Sequence, residues 1–507
     1  MSYEAYTLDD FGGGLNLKDK ADAIAPNEAI EATDVVFTET GAVQSRPGYE
    51  IFTSSTLTNP VDSLHPFYTT SGTKQLLAGC GTRLEALNTS GGVVASLTGL
   101  TATGGTSGPW YWDFCRVGTA PAEYAYAGNG ENVLKRWDGS AWSSIANTPQ
   151  GGALCVTPSS NRLVVARFKG TAGGPTGGAG TSNPSRVYFS DPGAPETWTS
   201  TNYIDLDPGD GEVIQAAITW REYVFVFKET KFYVFTGEST DADGNPVFNY
   251  RKIDTGVGAC APRGVAADEN GVYFIHLTGV YVTTGEAPVK ISEKIDTVFT
   301  GTSPPYYDPG YLVTSTAYRC GLGVWQGKVL VGMPVNGSGT RNFVYDTRDQ
   351  WWTIWALGGR AHFSTFRISD IEELVFGNGA NVGEVLSMDG SLTTDLGTTI
   401  VGGTWRSGFM DLGNPDVKRL RQIKVWGSGA LEISATVDYP TATGTSTALT
   451  FTGGYNLNPA LYRLGTRGTL FSIYLTGNVG DNTEFSVSRM TLHTATPRQV
   501  TVLKADR

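Results

Sequence analysis

AGNGENVLKRWDGSAW, residues 127–142, is the stretch that decides the fold. It holds two turn signals, Gly128-Asn129-Gly130 and Asp138-Gly139, around a short strand-like run. A dinucleotide loop needs Gly-x-Gly-x-x-Gly between a strand and a helix, with an acidic residue about 20 positions on. Val133 stands where the third glycine belongs, and no helical pattern follows. The stretch therefore reads as a strand between two turns. Far along the chain it returns: Gly377-Asn378-Gly379-x-Asn381-Val382 is followed by Asp389-Gly390-Ser391, as 128–133 is followed by Asp138-Gly139-Ser140. An echo of this kind marks a structural repeat.

Working outward, the same ending, a turn followed by a hydroxyl-rich or aromatic strand, recurs at 87–97, 134–145, 187–200, 232–253, 280–291, 343–355 and 385–395. Apolar runs precede several of these endings: LVVARF (163–168), YVFVFK (223–228), VYFIHL (272–277) and KVLVGM (328–333). A period near 50 residues with four short strands per unit is the pattern of a β-propeller. One four-stranded blade cannot bury both faces, whereas a ring of blades can. The spacing predicts an all-β chain with a propeller of six or seven blades over 56–398. The pattern changes after that, and 399–496 reads as a small antiparallel β-sandwich. Residues 1–55 form an N-terminal arm outside the repeat, with a hint of a short helix over 21–35. Residues 497–507 form a short basic tail. A Gly-rich stretch at 169–185 interrupts the third unit and is expected to be a long hairpin loop.

Composition bounds the function. The 507 residues include 65 glycines, as many tight turns require, and carry a net charge of −12. Counterion release on DNA needs clustered Lys and Arg, so the charge argues against a protein that generally coats nucleic acid; it does not exclude a wall past which DNA slides. Charge is uneven: from 401 on, 11 basic and 7 acidic residues give +4, leaving 26 minus 42, or −16, before it. The five cysteines, Cys80, Cys115, Cys155, Cys260 and Cys320, are odd in number and lack CxxC spacing, so reduced thiols are expected. No apolar run reaches the 18 residues of a membrane helix. The N-terminus, MSYEAYTLDDF, lacks the apolar segment of a signal peptide, and folding in a cytoplasm is expected.

The candidate chemistry is thin. Asp241-Ala242-Asp243-Gly244 opens like a calcium loop, but Pro246 and Lys252 stand where calcium needs Gly and a bidentate Glu, so it reads as an acidic hairpin tip. GxSxG, HExxH and P-loop motifs are missing. His65, His276, His362 and His493 are far apart in sequence; a His–Ser–Asp set could still converge in space, and His276 sits in an apolar run as a core residue would. Trp137, Trp142, Trp198, Trp351, Trp352 and Trp355 fall beside the repeat turns, as wedges between blades or as a sugar-stacking surface. Lys418, Arg419, Arg421 and Lys424 lie on one segment, and simple alternation puts Arg419, Arg421 and Ile423 on one face. They are candidates for a solvated face, an interface with an acidic neighbour, or DNA contact. Neither a metal ion nor a cofactor is expected.

Ser190-Asp191-Pro192-Gly193 with Trp198 resembles the Asp-box turn of sialidase-type propellers, in one shortened copy; that box is a structural turn. The termini carry a second resemblance. FGGGLNL (11–17), then APNEAIEATDVVFTETGAVQSRPGYEIF (25–52), resembles the opening of many phage virion proteins, with Asp34 where the pattern usually has Asn. LYRLGTRGTLFSIYLTG, from residue 461, is similar to the strand pair that closes the same proteins. Together these resemble the tail hub or nozzle proteins of short-tailed phages, which include packaged-DNA stabilisation and tail tubular B proteins. The resemblance covers the whole chain in architecture and about 45 residues in motifs. It implies a virion protein assembled in the host cytoplasm: a homohexameric ring below the portal and adaptor, around passing double-stranded DNA. Such a ring carries tail fibres, spikes or a plug and has no membrane insertion of its own. It implies no catalytic residues, hence no enzyme. A carbohydrate-active propeller and a non-catalytic receptor-binding tail module are the alternatives.

Overall fold

Seven four-stranded antiparallel units follow one another along the chain. The computed structural model describes all residues except 1, 102–111, 119–122, 146–150, 160–161, 171–182, 241–245, 303, 305, 338, 369, 381, 398, 438–444, 451–459, 478–483 and 497–507. Most of the Gly-rich stretch, the start of the calcium-like loop and the basic tail thus lie outside the described residues. The strands that flank the first two pair as hairpins, Phe168 with Asn183 and Thr240 with Pro246.

Blades 1 to 6 begin with the strands Ser63–Tyr68, Asp113–Val117, Gly151–Ser159, Ala216–Trp220, Val265–Ala267 and Gly321–Trp325; blade 7 begins with Gly359–Ile368. Each of these inner strands lies against the next, and the seventh returns to the first, so the ring is closed. Blade 4 shows why this sequence makes blades. Along YVFVF and KFYVF, side chains alternate between the two faces. Val224, Val226, Tyr233 and Phe235 enter the core shared with blade 3, while Phe225, Phe227, Phe232 and Val234 enter the core shared with blade 5. A strand buried on both sides reads as a continuous apolar run, as these do. Trp137 is fully buried between blades 1 and 2, with Phe67 and Leu77, and its ring N–H donates to Gln75 Oε1 at 2.9 Å.

The turns are built by side chains. Asp138 Oδ1 accepts the N–H groups of Ser140 and Ala141, and Asp389 Oδ1 accepts those of Ser391 and Leu392. Asn129 and Asn378 do the same for the preceding turns. The echo that opened the sequence reading is a pair of equivalent Asx turns in blades 2 and 7.

Blade 7 takes its fourth strand from elsewhere. Glu50–Ile51 pairs with Val385–Met388, so the ring closes on a strand that precedes blade 1. The first 50 residues are otherwise woven into the second domain rather than standing apart as an arm. Glu28–Thr33 lies between the outer strand of blade 6, Trp352–Trp355, and Thr404–Ser407. It thereby joins blade 6 to a sandwich sheet that continues through Phe471–Gly477, Ala430–Val437 and Thr445–Thr450. The second sandwich sheet contains Val35–Phe37, Val43–Ser45, Ser486–Thr496, Lys418–Ser428 and Ala460–Gly468, with Ser2–Leu8 on Ser486–Thr496. The helix hinted at over 21–35 is a strand at 28–33: pairing on both edges and burial of Ala29, Ile30 and Ala32 override the helix propensity of Glu and Ala.

Candidate functional sites at the axis, the domain junction and a basic sheet face

At the propeller axis, polar groups from several blades meet. Arg263, just before blade 5, reaches Ser63 of blade 1, a blade that is not its neighbour: Nη2 donates to Ser63 Oγ at 2.8 Å. Ser63 Oγ also accepts the Trp112 N–H at 2.7 Å. Asp113 of blade 2 accepts the Val156 N–H of blade 3 at 2.8 Å. Burial pushes its carboxyl up to about 7, against the Val156 and Phe114 N–H groups and the Arg263 charge, which favour ionisation. His362 Nε2 accepts the Leu64 N–H, and burial, then Arg263, hold it well below the usual imidazole range. His65 stacks on Phe114, and burial pushes it down to about 4.

Two of the four histidines, a serine and an aspartate do converge, therefore, which their sequence positions could not reveal. Their bonding is that of a structural hub. Ser63 Oγ accepts two N–H bonds, and the His362 nitrogen that could serve as base is occupied by a backbone N–H. Nucleophilic catalysis needs that base on the hydroxyl. His276 is buried, with Nδ1 2.8 Å from Thr278 Oγ1, and His493 lies in the sandwich. Among the described residues, no group of three His, Cys, Asp or Glu side chains could hold a metal ion, and no helix is long and apolar enough to cross a membrane. The Asp-box-like stretch is a turn: Asp191 Oδ1 accepts Thr199 Oγ1 and Asn202 Nδ2, both at 2.9 Å.

At the junction of the two domains sits Arg46, fully buried. All five of its N–H groups are used. Nε donates to Asp34 at 2.6 Å, Nη1 to the Pro47 carbonyl at 2.8 Å and Asp395 at 3.0 Å, and Nη2 to Asp395 at 2.8 Å and the Ala356 carbonyl at 3.4 Å. Burial opposes its charge, but Asp34 and Asp395 outweigh it and raise its pKa, while burial raises that of Asp395. Asp34 has φ 54°, a conformation that Asp and Asn tolerate, and as an Asp it also brings a charge to Arg46. A Cβ on Gly48 would lie 2.1 Å from the Thr394 carbonyl oxygen, so only glycine fits. Tyr49 packs on Phe376. Upstream, Phe11 meets Trp405 edge-on at 5.0 Å, and Gly14, at φ +73°, lies against Trp351. The stretches 11–17 and 46–49 are thus the joint between propeller and sandwich.

The four basic candidates separate. Lys418 is fully buried, donating to the carbonyls of Asn414, Asp416 and Thr469 over the Phe471 ring. It acts as a structural staple. A bulge shifts the register of both neighbouring strands between Leu420 and Gln422, so Ile423 turns into the core and does not share a face with Arg421. Arg419 is exposed, while Arg421 and Lys424 are half-buried. Register adds residues that the sequence reading missed: Arg467 stands directly opposite Arg419, and Arg489 opposite Trp426. The only prior signal was the +4 charge beyond 401.

No protein-family model matches the chain, and no curated protein matches it. Among solved structures it is similar to BBS1N in complex with ARL6DN, at 11% identity and a TM-score of 0.40, covering 69% of this chain and 99% of that one. It is also similar to a chain of the mitotic checkpoint complex, at 11% identity and a TM-score of 0.38, covering 67% and 93%. A Trypanosoma rangeli sialidase in complex with 2,3-difluorosialic acid matches at 11% identity and a TM-score of 0.29, covering 86% and 95%. The chain is an all-β protein, a propeller followed by a sandwich, on its own strand order.

Proposed function

We propose that this chain is a structural virion protein, a hub or nozzle subunit of a phage tail whose copies close into a ring around the DNA-ejection channel. The observation that carries the reading is the joint: the residues that bear the resemblance at the N-terminus, 11–17 and 46–49, are those that lock propeller to sandwich. In a ring under internal pressure, that lock makes each subunit a single stiff wedge. The axis supports the same reading. Arg263 crosses it to Ser63, which leaves no passage for a duplex whose major groove alone is about 12 Å wide. The channel therefore runs between copies, past an acidic surface to which DNA does not adhere. The ring sits below the portal and adaptor, carries fibres, spikes or a plug, and performs no catalysis. Electron microscopy of the purified protein and of virions tests this: rings, six-fold by the family's pattern, are expected. A permanent monomer that never enters virions would refute it.

A further inference from the structure

We infer that Ser144 and Lys135, facing each other across the outer hairpin of blade 2, form a nucleophile and its base, and that the pair takes up one acyl group from an apolar ester. The ring reading above does not use this pair, so the two can fail separately.

The pair follows from register. Lys135–Trp137 and Trp142–Ser144 are the two outer strands of blade 2, and Lys135 stands directly opposite Ser144. The Ile145 N–H donates to the Leu134 carbonyl, so by alternation Lys135 and Ser144 form a non-hydrogen-bonded pair, the kind whose side chains come closest. Lys135 Nζ lies 2.8 Å from Ser144 Oγ. The same alternation turns the Ser144 N–H away from Lys135–Trp137, toward the open edge of the blade.

The two side chains differ in environment. Lys135 is 6% exposed, whereas Ser144 is exposed. Lysine is almost never buried without a partner that satisfies its charge. The other buried lysines obey this: Lys228 and Lys231 pair with Asp210, and Lys418 donates to three carbonyls. Lys135 departs from it. Among the described residues the Ser144 hydroxyl is its one hydrogen-bond partner, and no carboxylate pairs with it. Burial therefore acts alone and holds its ammonium below the usual lysine range, which favours the neutral amine. A dry base thus sits on the hydroxyl of a solvent-facing serine, the arrangement that nucleophilic chemistry needs and that the axial hub lacks.

In the reaction, Ser144 Oγ attacks the ester carbonyl carbon. Its proton passes to Lys135 Nζ, and from there to the leaving oxygen as the old carbon–oxygen bond breaks. The products are acyl-Ser144 and a free alcohol, so no further reactant is needed. The Ser144 N–H at the open edge is a donor for the carbonyl oxygen as that atom gains charge. Trp142 sets the class of acyl group. It lies two residues before Ser144 on the same face, packs on Trp137 at 5.1 Å and lines an apolar cluster with Leu97 and Leu100. Such a wall fits an uncharged aryl or short aliphatic ester. Each copy takes one acyl group, a modification rather than a turnover.

The test is to mix the full chain with p-nitrophenyl acetate at about pH 8 and to map the acetyl group by mass spectrometry of peptides. A burst of about one p-nitrophenolate per chain is expected, with acetyl on Ser144. Ser144→Ala, at an exposed position, is expected to keep its melting temperature and lose the burst. Lys135→Met keeps much of the volume, removes the base, and is expected to slow acetylation of Ser144 roughly a hundredfold. The wild-type rate is expected to rise with pH and level off below about 10.4, the ordinary lysine value, and Lys135→Met to lose that plateau. Should Lys135→Met not fold, the wild-type plateau and Ser144→Ala decide. Acetylation of Ser144 no faster than that of exposed Ser90, or unchanged in folded Lys135→Met, overturns the assignment. Acetyl on Lys135 itself overturns Ser144 as the nucleophile.

Discussion

Replacing Arg46 by methionine isolates the joint. Met keeps much of the volume and removes all five donors. Asp34 and Asp395, whose side chains are only 15% and 20% exposed, then lose their cation, and the Pro47 and Ala356 carbonyls lose a donor. Breaking a buried ion pair from one side costs about 3–5 kcal/mol, because the remaining charge is left uncompensated. Arg46→Met is therefore expected to lower stability by that amount in urea unfolding of the full chain. Asp34→Asn and Asp395→Asn, added to it, are expected to recover more than half, since neutral amides need no counter-charge. The pH dependence has a definite sign. Burial already raises the Asp395 carboxyl, and without Arg46 it rises further. A raised folded-state pKa penalises the folded state above the unfolded value, so the deficit of Arg46→Met is largest at neutral pH and shrinks toward pH 4. A loss under 1 kcal/mol, or a triple variant no better than the single one, would refute the joint as described.

Other perturbations probe other parts. Asp113, pushed up to about 7, binds its proton more tightly folded than unfolded, so it costs stability as pH rises from about 4 to 7; Asp113→Asn, which can still accept the Val156 N–H, should gain on the order of 4 kcal/mol over wild type at pH 8 relative to pH 4, and parallel pH–stability curves would count against it. Gly48→Ala must displace the Thr394 carbonyl and is expected to cost about 1–3 kcal/mol; a neutral effect in thermal melts would mean the close approach is wrong. All five cysteines are buried, and burial raises the thiols of Cys80, Cys115, Cys155 and Cys320, so Ellman's reagent should label none in native protein and five after denaturation. A chain starting at residue 56 lacks Glu50–Ile51 and exposes the edge of blade 7; it should aggregate where the full chain stays soluble.

The repeat was legible because its turns are local. Asp138-Gly139 and Asp389-Gly390 fold through contacts two or three residues apart, so their chemistry shows in the chain itself. The continuous apolar runs of blade 4 announced burial on both faces for the same reason. What was not legible depends on partners far along the chain. Nothing in residues 28–33 says that they pair with 354 on one side and 404–407 on the other, and their Ala and Glu content points to helix instead. The bulge at 421 shifts Ile423 inward, and only the strands on both sides reveal it. Ser63, Asp113, Arg263 and His362 come together through ring closure alone. Lys418, read as part of a basic face, is buried because the segments just before its strand and just after Ala460–Gly468 supply three carbonyls to its ammonium.

The central claim, a ring of copies with its channel between propellers and not through them, meets its most direct test in a cryo-electron microscopy reconstruction of the assembled protein. A closed ring is expected, in which every propeller axis is plugged at Arg263 and the sole opening lies at the symmetry axis. Isolated subunits in every particle, or a duplex threaded through a propeller, would contradict it.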